Sequence, residues 1–144
     1  MVVKRMLDSI TIFVVDGDKS IRNAMARLMT ANGYRAVCVA SIDDLLQRDL
    51  PSSKAALLVD TRTARQFAGS LQEQLQARGT AMPVIYLTDC DTETGRREAK
   101  RVGAAGYFRK PVDEHALFDA ISFAVQNESA HSTAERTEER PVFS

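Results

Sequence analysis

Apolar residues in this chain fall into short unbroken runs, separated by segments in which they recur every third or fourth position. Thr11 to Val15 is such a run, β-branched and closed by Asp16-Gly17-Asp18, as expected of a strand buried on both faces. Ile21, Ala24, Met25, Leu28 and Met29 then follow at helical spacing until Asn32-Gly33 stops them. Arg35 to Val39 predicts a second strand. Ser41 with Asp44 three residues on is a variant capping box opening a short helix that carries Leu45, Leu46 and Leu50, and Pro51-Ser52-Ser53 breaks it. Ala55 to Val59 predicts a third strand and 64–78 a helix with Phe67, Leu71 and Leu75 at four-residue steps. Pro83 to Thr88 predicts a fourth strand, with proline first, where a missing N–H is tolerated. The helix expected over 92–102 is polar with a thin apolar face (Ala99, Val102), which makes it the most mobile of the set. Tyr107 to Arg109 is the last strand, and 113–126 a helix with Leu117, Phe118, Ile121 and Val125 on one face.

Five strands alternating with five helices predict an α/β fold, a doubly wound five-stranded parallel sheet with right-handed crossovers. At 144 residues and 44% hydrophobic, the chain is one domain able to fill its own core. We place an N-terminal extension at 1–8 and the domain at 9–127. Residues 128–144 lack apolar periodicity and read as a disordered tail or a linker stub. No internal repeat is visible. Met25, Met29 and Phe118 are core by spacing, whereas His115 and His131 are expected to be solvated.

Nineteen basic against nineteen acidic residues leave no net charge, so direct nucleic-acid binding by this domain is not expected, nor attraction to anionic lipid. Cys38 and Cys90 have no metal spacing and read as reduced thiols. No run approaches the roughly 20 apolar residues of a membrane span. Lys4 and Arg5 are followed by an apolar stretch that Asp8 interrupts, without a cleavage site. The expectation is a cytoplasmic protein without membrane partners.

The chemistry lies where the runs end. Four of them close on Asp16, Asp60, Thr88 and Arg109-Lys110-Pro111. In an open parallel sheet the carboxyl ends of neighbouring strands converge on one crevice, so two carboxylates, a hydroxyl and an ammonium would share a pocket. An isolated strand-end aspartate is as often a turn former or helix cap.

These residues together resemble the receiver domain of two-component response regulators. The likeness covers about 9–127 and rests on Val-Val-Asp16-x-Asp18 before an Ile21-Arg22 helix, Leu-Leu-Val-Asp60-Thr-Arg, Pro-Val-Ile-Tyr-Leu-Thr88, and Gly-Ala-Ala-Gly-Tyr107-Phe-Arg-Lys110-Pro111. The steps are 28 residues from Asp60 to Thr88 and 22 from Thr88 to Lys110. The resemblance implies a flavodoxin-like strand order 2-1-3-4-5 with helices on both faces, and a cis Lys110–Pro111 bond. It implies Asp60 as the phosphoacceptor, with a sensor histidine kinase as partner. It implies a Mg2+ site from Asp16, Asp60 and the Arg62 backbone carbonyl, since hard cations take oxygen ligands. Lys110 would pair with the acceptor or phosphoryl oxygen. Thr88 and Tyr107 would be the switch, acting on the last two strand-helix units, through which a homodimer would also form.

Gly17 departs from the pattern: the family carries two adjacent acids here, the second a direct metal ligand. Asp18 is the residue placed to compensate in part. Like charges about 4 Å apart repel by roughly 4 kcal/mol at an effective dielectric of 20, so weak Mg2+ binding would slow phosphorylation. Asp89 stands where a small residue is usual and would repel an anionic donor; Ala64 and Phe67-Ala68 depart from the Pro and Ser-Gly common there. Three readings stay open. The favoured one is a phosphoaccepting receiver, not an enzyme, with weakened Mg2+ affinity. The second is a phosphorylation-independent pseudo-receiver serving as an interaction or dimerisation module. The third is a haloacid-dehalogenase-type phosphatase, which Phe-Val-Val-Asp16-Gly17-Asp18 also resembles; it would use Asp16 as nucleophile and Asp18 as general acid/base, but only one helix and the tail remain to supply its further acidic pair.

Overall fold

The computed structural model describes residues 10–131 and 142–143. Its strands are β1 (Thr11–Val15), β2 (Arg35–Val39), β3 (Ala55–Asp60), β4 (Val84–Thr88), β5 (Gly106–Arg109) and β6 (Val142–Phe143), and its helices α1 (Lys19–Ala31), α2 (Ile42–Leu46), α3 (Thr61–Arg65), α4 (Leu71–Ala77), α5 (Glu93–Arg101) and α6 (Glu114–His131). The sheet is parallel throughout, in the order β2-β1-β3-β4-β5-β6.

The unbroken apolar runs are explained by the sheet having helices on both faces. Alternate residues of a strand point to opposite sides. Ile12 and Val14 of β1 therefore join Leu58, Ile85 and Phe108 in a core sealed by Met25 and Met29 of α1 and Leu117 and Ile121 of α6. Phe13 and Val15 join Leu57, Val59 and Val84 in a second core sealed by α2 and α4. Every residue of the central β3 is buried, and each fully buried aliphatic side chain contributes roughly 2 kcal/mol. Edge strand β2 is only partly buried. Phe118 is half-buried, stacked on Tyr34 with ring centroids 5.9 Å apart.

The short helix that opens at Ser41 ends at Leu46, leaving Leu50 outside it, and three larger expectations are corrected. The helix expected over 64–78 is two, because the chain turns between them through Gly69 at φ +122°, and Ser70 restarts the helix by accepting from the Glu73 N–H at 3.2 Å. Six helices therefore stand among the described residues where five were expected. The sheet gains a sixth strand: Val142 and Phe143 lie beside Gly106 and Tyr107, giving the otherwise open edge of β5 backbone partners. Thirdly, the last helix runs to His131 rather than ending at residue 126. The expected 1–8 extension and most of the expected disordered tail, 132–141, lie outside the described residues.

Candidate functional site

Register brings the strand ends to one rim. Val15 pairs with Val59, Asp60 with Leu87 and Thr88 with Arg109, so Asp16, Asp60, Thr88 and Lys110 all emerge at the carboxyl edge of the sheet. The Lys110 N–H donates to the Thr88 carbonyl at 2.8 Å, and the Lys110–Pro111 bond is cis.

One ammonium joins the two carboxylates. Lys110 Nζ lies 2.8 Å from Asp60 Oδ1 and 3.2 Å from Asp16 Oδ2. These side chains are only 15% exposed for the lysine and 8% for each aspartate, so their charges interact through little water. Burial pushes the Asp60 carboxyl up, but the Lys110 hydrogen bond and charge, with two Thr63 donors, outweigh it and hold the group below the usual carboxylate value. Burial likewise pushes the Lys110 ammonium down, and the two carboxylates outweigh it to hold it above its ordinary value.

Thr63 is a site residue that the sequence reading missed. Its N–H and its hydroxyl both donate to Asp60 Oδ2, at 3.0 and 3.1 Å, and the hydroxyl accepts from the Gly17 N–H at 3.0 Å. A signal was available, since a strand-end Asp with Thr three residues on has the spacing of a helix N-cap. Asp60 is indeed the N-cap of α3. Arg62 sits in the first turn of that helix, its exposed side chain 3.8 Å from Asp89. The carboxylate expected to repel an anionic donor thus has a guanidinium beside it.

Asp18 is not drawn into the cluster by the bonds that fix it. Its Oδ1 accepts from the N–H groups of Ser20 and Ile21 at 2.8 and 3.3 Å, making it the N-cap of α1. Its own N–H donates to Asp16 Oδ1 at 2.9 Å. The carboxylate placed to replace a missing metal ligand, and to act as a phosphatase's general acid, is engaged at the helix terminus.

Thr88 is on the rim, with its hydroxyl engaged by Thr61 and Cys90. Its hydroxyl accepts from Thr61 Oγ1 at 3.0 Å and from the Cys90 N–H at 3.1 Å, and donates to the Cys90 carbonyl at 3.0 Å. Tyr107 is 2% exposed, with the Arg96 guanidinium 5.6 Å over its ring and Arg96 paired with Asp91 at 2.7 Å. Gly95 makes the room: a Cβ there would stand 2.4 Å from the Tyr107 hydroxyl.

The oxygens present do not fit a tight divalent site. Among the described residues no group of three Asp, Glu, His or Cys side chains is arranged to hold a metal ion. A carboxylate offers about four lone pairs. Both on Asp60 Oδ2 are taken by Thr63, and one each on Asp60 Oδ1 and Asp16 Oδ2 by Lys110. No described helix is long and apolar enough to cross a membrane.

The family model for the response regulator receiver domain matches residues 12–122. Among curated proteins, the chain is 28% identical over 116 residues to the transcriptional regulatory protein FixJ of Azorhizobium caulinodans, covering 81% of this chain and 55% of that protein. It spans about half the length of the curated relatives it matches. Among solved structures it superposes on the response regulator StyR with a TM-score of 0.71 at 28% identity, covering 90% of this chain and 66% of the other. It superposes on FixJ-N with a TM-score of 0.70 at 23% identity, covering 81% and 94%.

Proposed function

Because this chain belongs to the response regulator receiver domain family, we propose that it accepts a phosphoryl group on Asp60 from a sensor histidine kinase and relays the event through Thr88 and Tyr107. The observation that carries the reading is the shared ammonium: Lys110 holds Asp60 Oδ1 at 2.8 Å and Asp16 at 3.2 Å, at the rim where the Thr88 strand also ends. With Oδ2 engaged by Thr63, Oδ1 is the oxygen with a lone pair to spend. It bonds to phosphorus while the donor's phosphorus–nitrogen bond breaks, the imidazole leaving with that electron pair. Lys110 stabilises the charge that gathers on the phosphoryl oxygens. Thr88 follows by exchanging its Cys90 carbonyl for a phosphoryl oxygen, which frees the loop leading to α5. The face that responds, and through which a homodimer would form, is β4–α5 and β5–α6. Mg2+ binds weakly, for want of a third carboxylate.

Incubation with acetyl phosphate followed by intact-mass measurement tests this. The expected result is a phosphoryl adduct on the wild type that Asp60→Asn lacks; an unmodified wild type refutes it. One observation favours a second reading, an interaction module independent of phosphate: Tyr107 is already inward, as a phosphorylated receiver's switch aromatic would be, with Gly95 and Arg96 shaped around it. An unmodified wild type would support that reading. The phosphatase reading loses its general acid to the α1 cap and is not carried forward.

A further inference from the structure

Gly17 and Thr63 are 46 residues apart in sequence and meet at the acceptor. A Cβ at Gly17 would lie 3.6 Å from Thr63 Oγ1, an ordinary contact and its nearest neighbour, so the threonine hydroxyl stands directly beside the loop. That hydroxyl is buried; Thr63 is 5% exposed. Its proton is committed in one direction, because the Gly17 N–H only donates to it and the ionised Asp60 Oδ2 can only accept from it.

We infer that Thr63 is a positioning residue that takes the place of a cation on the acceptor carboxylate. The inference rests on Asp60 being the acceptor and goes beyond it, by adding to the missing carboxylate a second and specific cause of weak metal binding. Oδ2 has two lone pairs, and Thr63 fills both, one through its N–H and one through its hydroxyl. The N–H bond belongs to the α3 cap and persists in any folded variant. The hydroxyl bond is the one that a divalent cation would have to displace. With it in place, the carboxylate is oriented by the chain's own donors: Thr63 on Oδ2, Lys110 on Oδ1. The acceptor is thereby held in attacking geometry without a metal, and a metal is disfavoured there. A cation adding to this site competes with a charge-assisted hydrogen bond, an interaction roughly twice as strong as a neutral one.

Mg2+ titration by calorimetry of the wild type, Thr63→Val, Thr63→Ala and Thr63→Ser tests this without using phosphorylation, so its outcome is separate from that of the acetyl phosphate experiment. Valine keeps the shape and the N–H and lacks the hydroxyl; alanine repeats the loss in a smaller side chain, should valine fail to fold by circular dichroism. The expected result is about tenfold tighter Mg2+ binding in the folded hydroxyl-free variants, with serine restored to the wild-type value. Unchanged or weaker binding in those variants overturns the inference, since a hydroxyl that merely packs would leave affinity alone and one that ligates the metal would lower it on removal. Serine behaving like valine overturns it as well.

Discussion

Replacing Lys110 with methionine leaves two buried carboxylates facing each other across the space the ammonium held. Asp60 Oδ1 and Asp16 Oδ2 lie 2.8 and 3.2 Å from one nitrogen, so they are at most 6.0 Å apart, the sum of the two distances. At that separation and an effective dielectric of 20, two like charges repel by roughly 3 kcal/mol. Breaking a buried pair by removing one partner costs about 3–5 kcal/mol in general, a large part of a small domain's stability. The pH dependence identifies the cause. In the wild type the Asp60 carboxyl is held below its ordinary 3.8, so its stabilisation is present above that value and is lost as pH falls through the folded-state value. In Lys110→Met the Asp60 carboxyl keeps its burial and loses its ammonium, so its folded value rises above the unfolded one; the destabilisation is complete at neutral pH and fades as pH falls towards 4. Urea denaturation at pH 7 and at pH 4.5 measures both. The variant is expected to lose about 3 kcal/mol at the higher pH and to approach the wild type at the lower. A loss equal at both pH values would refute the electrostatic account and assign the effect to packing of the lysine stem.

Two further substitutions test the neighbouring geometry. Gly17→Asp places its Cβ no closer than 3.6 Å to any neighbour and adds the third carboxylate. Calorimetry should show Mg2+ affinity rising by about tenfold or more, and the melting temperature without Mg2+ falling from added repulsion. Unchanged affinity would mean that the missing acid is not what weakens the site. Gly95→Ala sets a Cβ 2.4 Å from the Tyr107 hydroxyl, so the ring must leave its slot and its contact with Arg96. With three tyrosines and no tryptophan in the chain, near-ultraviolet circular dichroism reports the move as lost tyrosine signal; an unchanged spectrum would show that the slot yields instead.

Where the chain's local chemistry and the final structure demand the same thing, the sequence was sufficient. The interiors of β1, β3 and β4 are unbroken apolar runs because helices cover both faces of the sheet, and such a run needs no tertiary knowledge to be recognised. The residue closing each run emerges at the strand's carboxyl end, so parallel pairing alone carries Asp16, Asp60, Thr88 and Lys110 to one rim. Composition likewise showed a chain without net charge. The tail is a different case: a two-residue strand has too little pattern to read, and Val142–Phe143 became one only because β5 offered a partner.

Tertiary structure decided what each rim residue does. Asp18 and Asp60 are both acids next to strand ends and both cap the helix that follows, yet only Asp60 also receives a lysine, 50 residues downstream. Thr63 meets Gly17 through a backbone hydrogen bond, and Tyr107 meets Gly95 through the space a side chain would fill. Such matches depend on distances of a few tenths of an ångström between segments remote in the chain. Hydrophobic periodicity is a property of neighbours and is written locally; a hydrogen bond across 46 residues, or an ion pair across 94, exists only once the backbone has closed.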